Sequence, residues 1–94
     1  MDMEKRTAER TVTIRNKLGL HVRPASLLVE KASQFRSDVY LIRDGEKVNG
    51  KSIMGVLSLA AEQGSSITIR AEGDDCEAAV EALSKLVERG FDEE

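Results

Sequence analysis

From Thr11 the chain alternates, with Val12 and Ile14 apolar and Thr13 and Arg15 polar, the two-residue period of a strand that buries one face. Asn16-Lys17-Leu18-Gly19 interrupts that period as a loop. Between Pro24 and Phe35 the apolar residues Ala25, Leu28, Val29, Ala32 and Phe35 recur at helical spacing, while Ser26, Glu30, Lys31, Ser33 and Gln34 fall mostly on the other side. A first amphipathic helix is therefore predicted there. Asp38 to Arg43 and Glu46 to Asn49 flank Asp44-Gly45, a dipeptide favoured in tight hairpins, so two antiparallel strands follow. Ser52 to Ala61 reads as a short second helix, with Ser52 as N-cap and Gly64 as the left-handed residue beyond its end. Ser66 to Glu72 alternates again with Ile67, Ile69 and Ala71 inward. Asp74 with Glu77 three residues later looks like a capping box for a third helix, whose stripe of Ala79, Leu83, Leu86 and Val87 runs to Gly90.

The resulting order, β-α-β-β-α-β-α, suggests an α+β fold in which a four-stranded antiparallel sheet carries helices on one face. One domain is expected over residues 11–90, preceded by a polar, mobile lead-in over 1–10 and followed by a solvated acidic tail over 91–94. A chain of 94 residues has room for one hydrophobic core and no second. With 3% aromatics and no Trp, that core must be aliphatic, which argues against a deep aromatic-lined ligand pocket.

Charge narrows the function classes. A net charge of -3 provides no electrostatic footprint for nucleic acid. One His and one Cys cannot supply the usual ligand set of a zinc site, and no cofactor or metal is called for. Cys76 has no partner for an internal disulfide, which fits a reducing compartment, and its expected role is that of a small packed side chain. No apolar run approaches a membrane-spanning length, so no membrane association and a cytoplasmic location are expected.

The one histidine, His21, lies in Gly19-Leu20-His21-Val22-Arg23-Pro24-Ala25-Ser26, the stretch that opens the first helix. A helix N-terminus leaves backbone N–H groups without intrahelical partners, and with the helix dipole these favour an anion such as phosphate. Pro24 is tolerated there because it gives up an N–H that is unpaired anyway, and Ala25 follows it in the first turn. Neutral imidazole is a nucleophile near neutral pH, and attack on phosphorus yields a phosphoramidate able to pass the group on. Arg23 would supply charge-assisted hydrogen bonds to the phosphoryl oxygens. On residue type alone, an exposed loop histidine with no chemistry is the commoner reading; the glycine, arginine and proline around it change the balance.

This Gly-x-His-x-Arg-Pro string, in a chain of this size and element order, resembles the active-site motif of the HPr family of the phosphotransferase system over about Thr11 to Arg89. The resemblance implies an open-faced β-sandwich. It also implies that His21 is the phosphoacceptor, through Nδ1, with Arg23 its phosphate partner. Enzyme I would charge it using phosphoenolpyruvate and an enzyme IIA domain would receive the group, so the chain would act as a monomeric carrier in a relay, not as a stand-alone catalyst. Val22 and Ser26 depart from the alanines common at those places, and neither change removes a chemical group.

Lys51-Ser52-Ile53-Met54-Gly55 resembles the regulatory serine site of HPr proteins, where a serine kinase/phosphorylase would act on Ser52; as plain structure, Ser52 is a helix cap. Leu20, Ile53, Met54 and Leu57 are expected to form an exposed apolar docking patch for partner proteins. Two branches stay open: Asn16-Lys17-Leu18-Gly19 and Gly90-Phe91-Asp92-Glu93 look like the nitrogen-related carriers, whereas Lys51 to Gly55 looks like the serine-regulated, sugar-transport type. The competing reading is a small regulatory or ligand-binding α+β domain without covalent chemistry.

Overall fold

Strands β1 (Thr7–Thr13), β2 (Asp38–Arg43), β3 (Glu46–Asn49) and β4 (Ser66–Glu72) form one antiparallel sheet in the spatial order β1-β4-β2-β3 in the computed structural model, which describes residues 6–93. β4 is central because its inward residues Ile67, Ile69 and Ala71 are all buried, and it pairs on both sides. Asp44 and Gly45 both take left-handed backbone (φ 51 and 83), the geometry that lets a two-residue hairpin follow the twist of β2 and β3. Helices α1 (Val22–Ala32), α2 (Ile53–Ser58) and α3 (Cys76–Glu88) cover one face, with α3 on β1 and β4 and α1 against both other helices. The predicted stripe of Ala79, Leu83, Leu86 and Val87 faces the core, joined by Cys76, which is buried.

The other face of the sheet is open and polar. The directly opposed pair Thr11 and Thr68 joins its hydroxyls at 2.9 Å, and Arg70 reaches its cross-strand partner Glu9 at 3.1 Å and Glu72 at 2.9 Å. Such pairs contribute roughly 0.2–1 kcal/mol each, enough to favour the register but far less than the aliphatic layer beneath them.

Several boundaries differ from the sequence reading. β1 begins four residues earlier than Thr11, because Thr7 to Arg10 extend it in register with Ile69 to Glu72; their polar side chains mask an edge strand whose every residue pairs with β4. The first five residues of the expected lead-in lie outside the described residues, as does Glu94. Helix α1 starts at Val22, with Pro24 in its first turn, and stops at Ala32, where Gln34 and Phe35 donate to Lys31 and Ala32 and tighten the last turn. Helix α2 covers only Ile53–Ser58: Leu59 and Ala60 donate to Val56 and Leu57, and Ala60 then turns left-handed (φ 51). Gly64 therefore ends no helix but shapes the turn into β4, donating to the Ile14 carbonyl at 2.8 Å. Among the described residues no helix is long and apolar enough to cross a membrane.

The expected capping box at Asp74 is also replaced. The N-cap of α3 is Asp75, and its carboxylate caps no amide of its own helix. It accepts instead from the backbone N–H of Arg36 and of Ser37, each at 2.9 Å, and from the Ser37 hydroxyl, tying the start of α3 to the loop between α1 and β2. These bonds, the Ser37 hydroxyl foremost and the Arg36 amide next, hold the Asp75 pKa down to about 2 from 3.8. A carboxyl whose pKa falls on folding stabilises the fold above its unfolded value and loses that contribution as pH drops through the folded one. The urea midpoint of Asp75→Ala should accordingly trail the parent protein at pH 6, and the gap should close as pH falls from about 4 to about 2. A gap that stays constant across that range would show that the carboxylate charge contributes nothing.

Candidate functional site

His21 is the N-cap of α1, with extended backbone (φ -84, ψ -170) and no capping bond from its own side chain. The segment before it is fixed by backbone. Gly19 is left-handed (φ 68) and lies so near the strand-bound side of the fold that an added Cβ would sit 2.4 Å from the Ala61 carbonyl oxygen and 2.9 Å from Glu62 Cα. The next amide, Leu20 N–H, donates to that same Ala61 carbonyl at 2.9 Å, and His21 N–H donates to Gly19 at 2.9 Å. The imidazole emerges from this pinned loop about one-third exposed.

The first turn of α1 has two amides, Val22 and Arg23, without a helical carbonyl to reach. Pro24 and Ala25 lie in the first turn of α1 as expected; Pro24 has no N–H to offer and is buried, and Ala25 N–H is committed to the His21 carbonyl at 2.9 Å, so the amides left without a helical partner are those of Val22 and Arg23. The Arg23 side chain is exposed and makes no hydrogen bond or ion pair with any of the described residues. That leaves its planar set of donors uncommitted next to the imidazole in sequence.

The far end of the chain completes the site. After α3, Gly90, Phe91 and Asp92 are all left-handed (φ 65, 56 and 60), and for two of them the side chain makes this costly, about 1–3 kcal/mol each. Phe91 is buried in the core and Arg89 holds Asp92 at 3.1 Å, which together over-determine the turn. Glu93 then returns to extended backbone and meets His21, with Oε2 at 3.2 Å and Oε1 at 3.4 Å from Nε2. An ionised carboxylate only accepts, so the Nε2 nitrogen carries the proton and, in the neutral ring, Nδ1 keeps its lone pair. The expected solvated tail is therefore corrected: Phe91 is core, and the Glu93 side chain is only 20% exposed.

Asn16, read from the sequence as a loop residue, is buried and supports this contact. Its Nδ2 donates to the Gly19 carbonyl at 2.8 Å and to Glu93 Oε1 at 2.9 Å. A cavity of about 490 Å³ lies alongside, lined by Lys17, Leu18, Arg23, Leu27, Phe91, Asp92 and Glu93.

Ser52 is at the N-cap of α2 as expected, its Oγ accepting from Gly55 N–H at 3.1 Å. Lys51 Nζ donates to the Phe35 carbonyl at 2.8 Å and Arg43 to the Leu59 carbonyl at 2.9 Å, so α2 is tied at both ends. Of the expected docking residues, Met54 is 74% exposed and Ile53 sits at 36%, but Leu57 is half-buried and Leu20 is core at 4%. Leu20 is drawn inward by the same backbone bond to Ala61 that orients His21. Its place among exposed apolar residues is taken by Leu18 at 74% and Val22 at 62%, which the loop turns outward on either side of Gly19-Leu20-His21.

Fold and site together define a class: small open-faced β-sandwich proteins that present one histidine at a helix N-terminus. The family model "PTS HPr component phosphorylation site" matches residues 8–89, and the chain belongs to the HPr phosphocarrier family. The phosphocarrier protein HPr of Xylella fastidiosa (strain Temecula1) is 48% identical over 86 residues, 92% of this chain and 97% of its own. The HPr-like protein Crh of Bacillus subtilis is 48% identical over 80 residues, 85% and 94% of the two chains. A crystal structure of HPr from Thermoanaerobacter tengcongensis superposes with a TM-score of 0.89 at 50% identity, over 93% of this chain and 98% of that one.

The close approach at Gly19 makes a prediction. Gly45→Ala meets nothing within 4 Å and bears only left-handed strain, about 1–2 kcal/mol, whereas Gly19→Ala adds a collision with backbone. Urea denaturation should find Gly19→Ala the less stable of the two; equal losses would mean that the loop can step aside.

Proposed function

We propose that this protein is a phosphocarrier of the phosphoenolpyruvate-dependent phosphotransferase system, charged on His21 by enzyme I and discharged to an enzyme IIA domain in the cytoplasm. The observation that carries the reading is the contact between His21 Nε2 and Glu93: with the proton held on that side, Nδ1 is the nitrogen with a free lone pair. Nδ1 forms the N–P bond as the donor's bond to phosphorus breaks, and the bonding pair leaves with the donor. Delivery to enzyme IIA reverses the sequence on the acceptor's nucleophile. The Val22 and Arg23 amides and the Arg23 guanidinium take the phosphoryl oxygens, since the helix dipole alone is worth only about 0.3–1 kcal/mol at an exposed end.

Incubation with phosphoenolpyruvate and enzyme I should give an acid-labile, base-stable phosphoryl adduct that is absent from His21→Ala. Arg23→Ala, which removes charge-assisted bonds worth about 1.5–3 kcal/mol, should slow transfer about 10- to 100-fold while leaving the urea midpoint unchanged. No adduct on the parent protein with a competent donor would overturn the carrier reading.

Regulation at Ser52 belongs to the same reading. A phosphate there would bring about -1.5 to -2 charges beside exposed Ile53 and Met54 and displace the Oγ bond to Gly55. Ser52→Asp should accordingly lower the rate of charging by enzyme I at low salt, and the deficit should shrink as salt screens the added charge. A second reading, supported by the 48% identity to Crh, which is described as the Bacillus subtilis catabolite repression HPr, is a mainly regulatory role through Ser52. Charging of His21 at a rate sufficient for relay separates the two. All the site residues come from one chain, so the carrier reading requires only a monomer, although an HPr dimer has been described for the Thermoanaerobacter relative.

A further inference from the structure

We propose that Asn16 is a positioning residue for His21, acting through Glu93; this rests on the phosphocarrier reading and deepens it. Asn16 is 4% exposed, and both protons of its amide are used, one on the Gly19 carbonyl at 2.8 Å and one on Glu93 Oε1 at 2.9 Å, 77 positions away. The orientation of the amide is fixed by its neighbours: turned over, its oxygen would face two acceptors. Its own oxygen, Oδ1, is buried and has no partner among the described residues. A buried amide with an idle acceptor is a poor choice for stability, and what it delivers is two donors at once.

Those two bonds have different consequences. The bond to Gly19 closes the loop before His21. The bond to Glu93 reaches across the site and selects the side-chain conformation in which the carboxylate also accepts from His21 Nε2. Glu93 arrives on a left-handed turn with a flexible side chain of its own, so a fixed donor on its far oxygen is what keeps the near one against the ring. Asn16, Glu93 and His21 thus form a relay in which a buried amide orients a carboxylate, the carboxylate fixes the imidazole proton on Nε2, and Nδ1 is left aimed outward for phosphorus.

Three variants of the full chain, Asn16→Ala, Glu93→Ala and the two combined, decide the matter by two readouts. In the unphosphorylated protein the Nε2–H proton should give a slowly exchanging imidazole signal in nitrogen-edited NMR, lost in Asn16→Ala while the backbone amide spectrum keeps its folded dispersion. In charging by phosphorylated enzyme I, Asn16→Ala should be about 3- to 10-fold slower than the parent, part of the worth of its charge-assisted bond to Glu93, and the double variant should be no slower than Glu93→Ala. If Asn16→Ala does not fold, Asn16→Ser keeps a donor in the loop but is too short to reach Glu93, and the same results are expected of it.

An imidazole signal that persists in a folded Asn16 variant overturns the proposal, as does its absence from the parent. An equal slowing in the presence and absence of Glu93 also overturns it, because Asn16 would then serve only the loop. Should the parent protein take up no phosphoryl group, the carrier reading fails by itself, and the NMR comparison still decides the relay.

Discussion

The place of His21 is decided by a backbone contact in which no functional group takes part. Gly19 presses against Ala61 and Glu62 with no room for a Cβ, and Leu20 donates to the Ala61 carbonyl that blocks it. Ala61 in turn belongs to the short connection from α2 to β4, and β4 is one of the two strands with neighbours on both sides. The loop bearing the imidazole is therefore referenced to a connection that leads directly into the interior of the sheet. Loops ordinarily open at little free-energy cost, but one held by a left-handed residue, a backbone bond and a buried leucine opens only with part of the core. This explains why Leu20 is core material, and why the apolar exposure near the histidine falls to Leu18 and Val22, whose side chains the same loop leaves outside.

Much of this architecture was legible in local pattern because local pattern is where the cause lies. Ile67, Ile69 and Ala71 alternate because β4 buries one face; Ala79, Leu83, Leu86 and Val87 repeat helically because α3 lies on the sheet; Asp44-Gly45 turns because both residues tolerate left-handed backbone. His21, Pro24 and Ser52 could be placed at helix starts for similar reasons. The misplaced boundaries have a common origin. Thr7 to Arg10 is a strand only because β4 pairs with it, α2 ends early only because Ala60 and Arg43 redirect its last turn, and Asp75 ignores its own helix for a loop 38 positions away. Each depends on a partner remote in sequence, and periodicity carries no information about it.

The largest omission, Glu93, has the same origin in sharper form. Acidic residues after a terminating glycine are ordinarily solvated, and nothing in Phe91-Asp92-Glu93 marks an exception except the phenylalanine. Its ring, buried among the core residues, is what turns the chain back toward α1. Phe91 needed no chemistry to be decisive; an aromatic in an otherwise polar tail was the available signal that the tail is not a tail.

Strain and burial at this end of the molecule run against the interests of stability and in favour of geometry. Two non-glycine residues in left-handed backbone, together with a buried amide oxygen that lacks a partner, are features that a fold selected for stability alone would lose. They are compensated by the Phe91 ring, by the arginine on Asp92 and by two well-formed donors from Asn16. In the proposed carrier, a nucleophile that must meet phosphorus from two different proteins has reason to be held this way. The reacting nitrogen has to face solvent, which leaves the protein only the opposite nitrogen by which to grip the ring, and a carboxylate delivered from another element can grip there without covering the reacting edge.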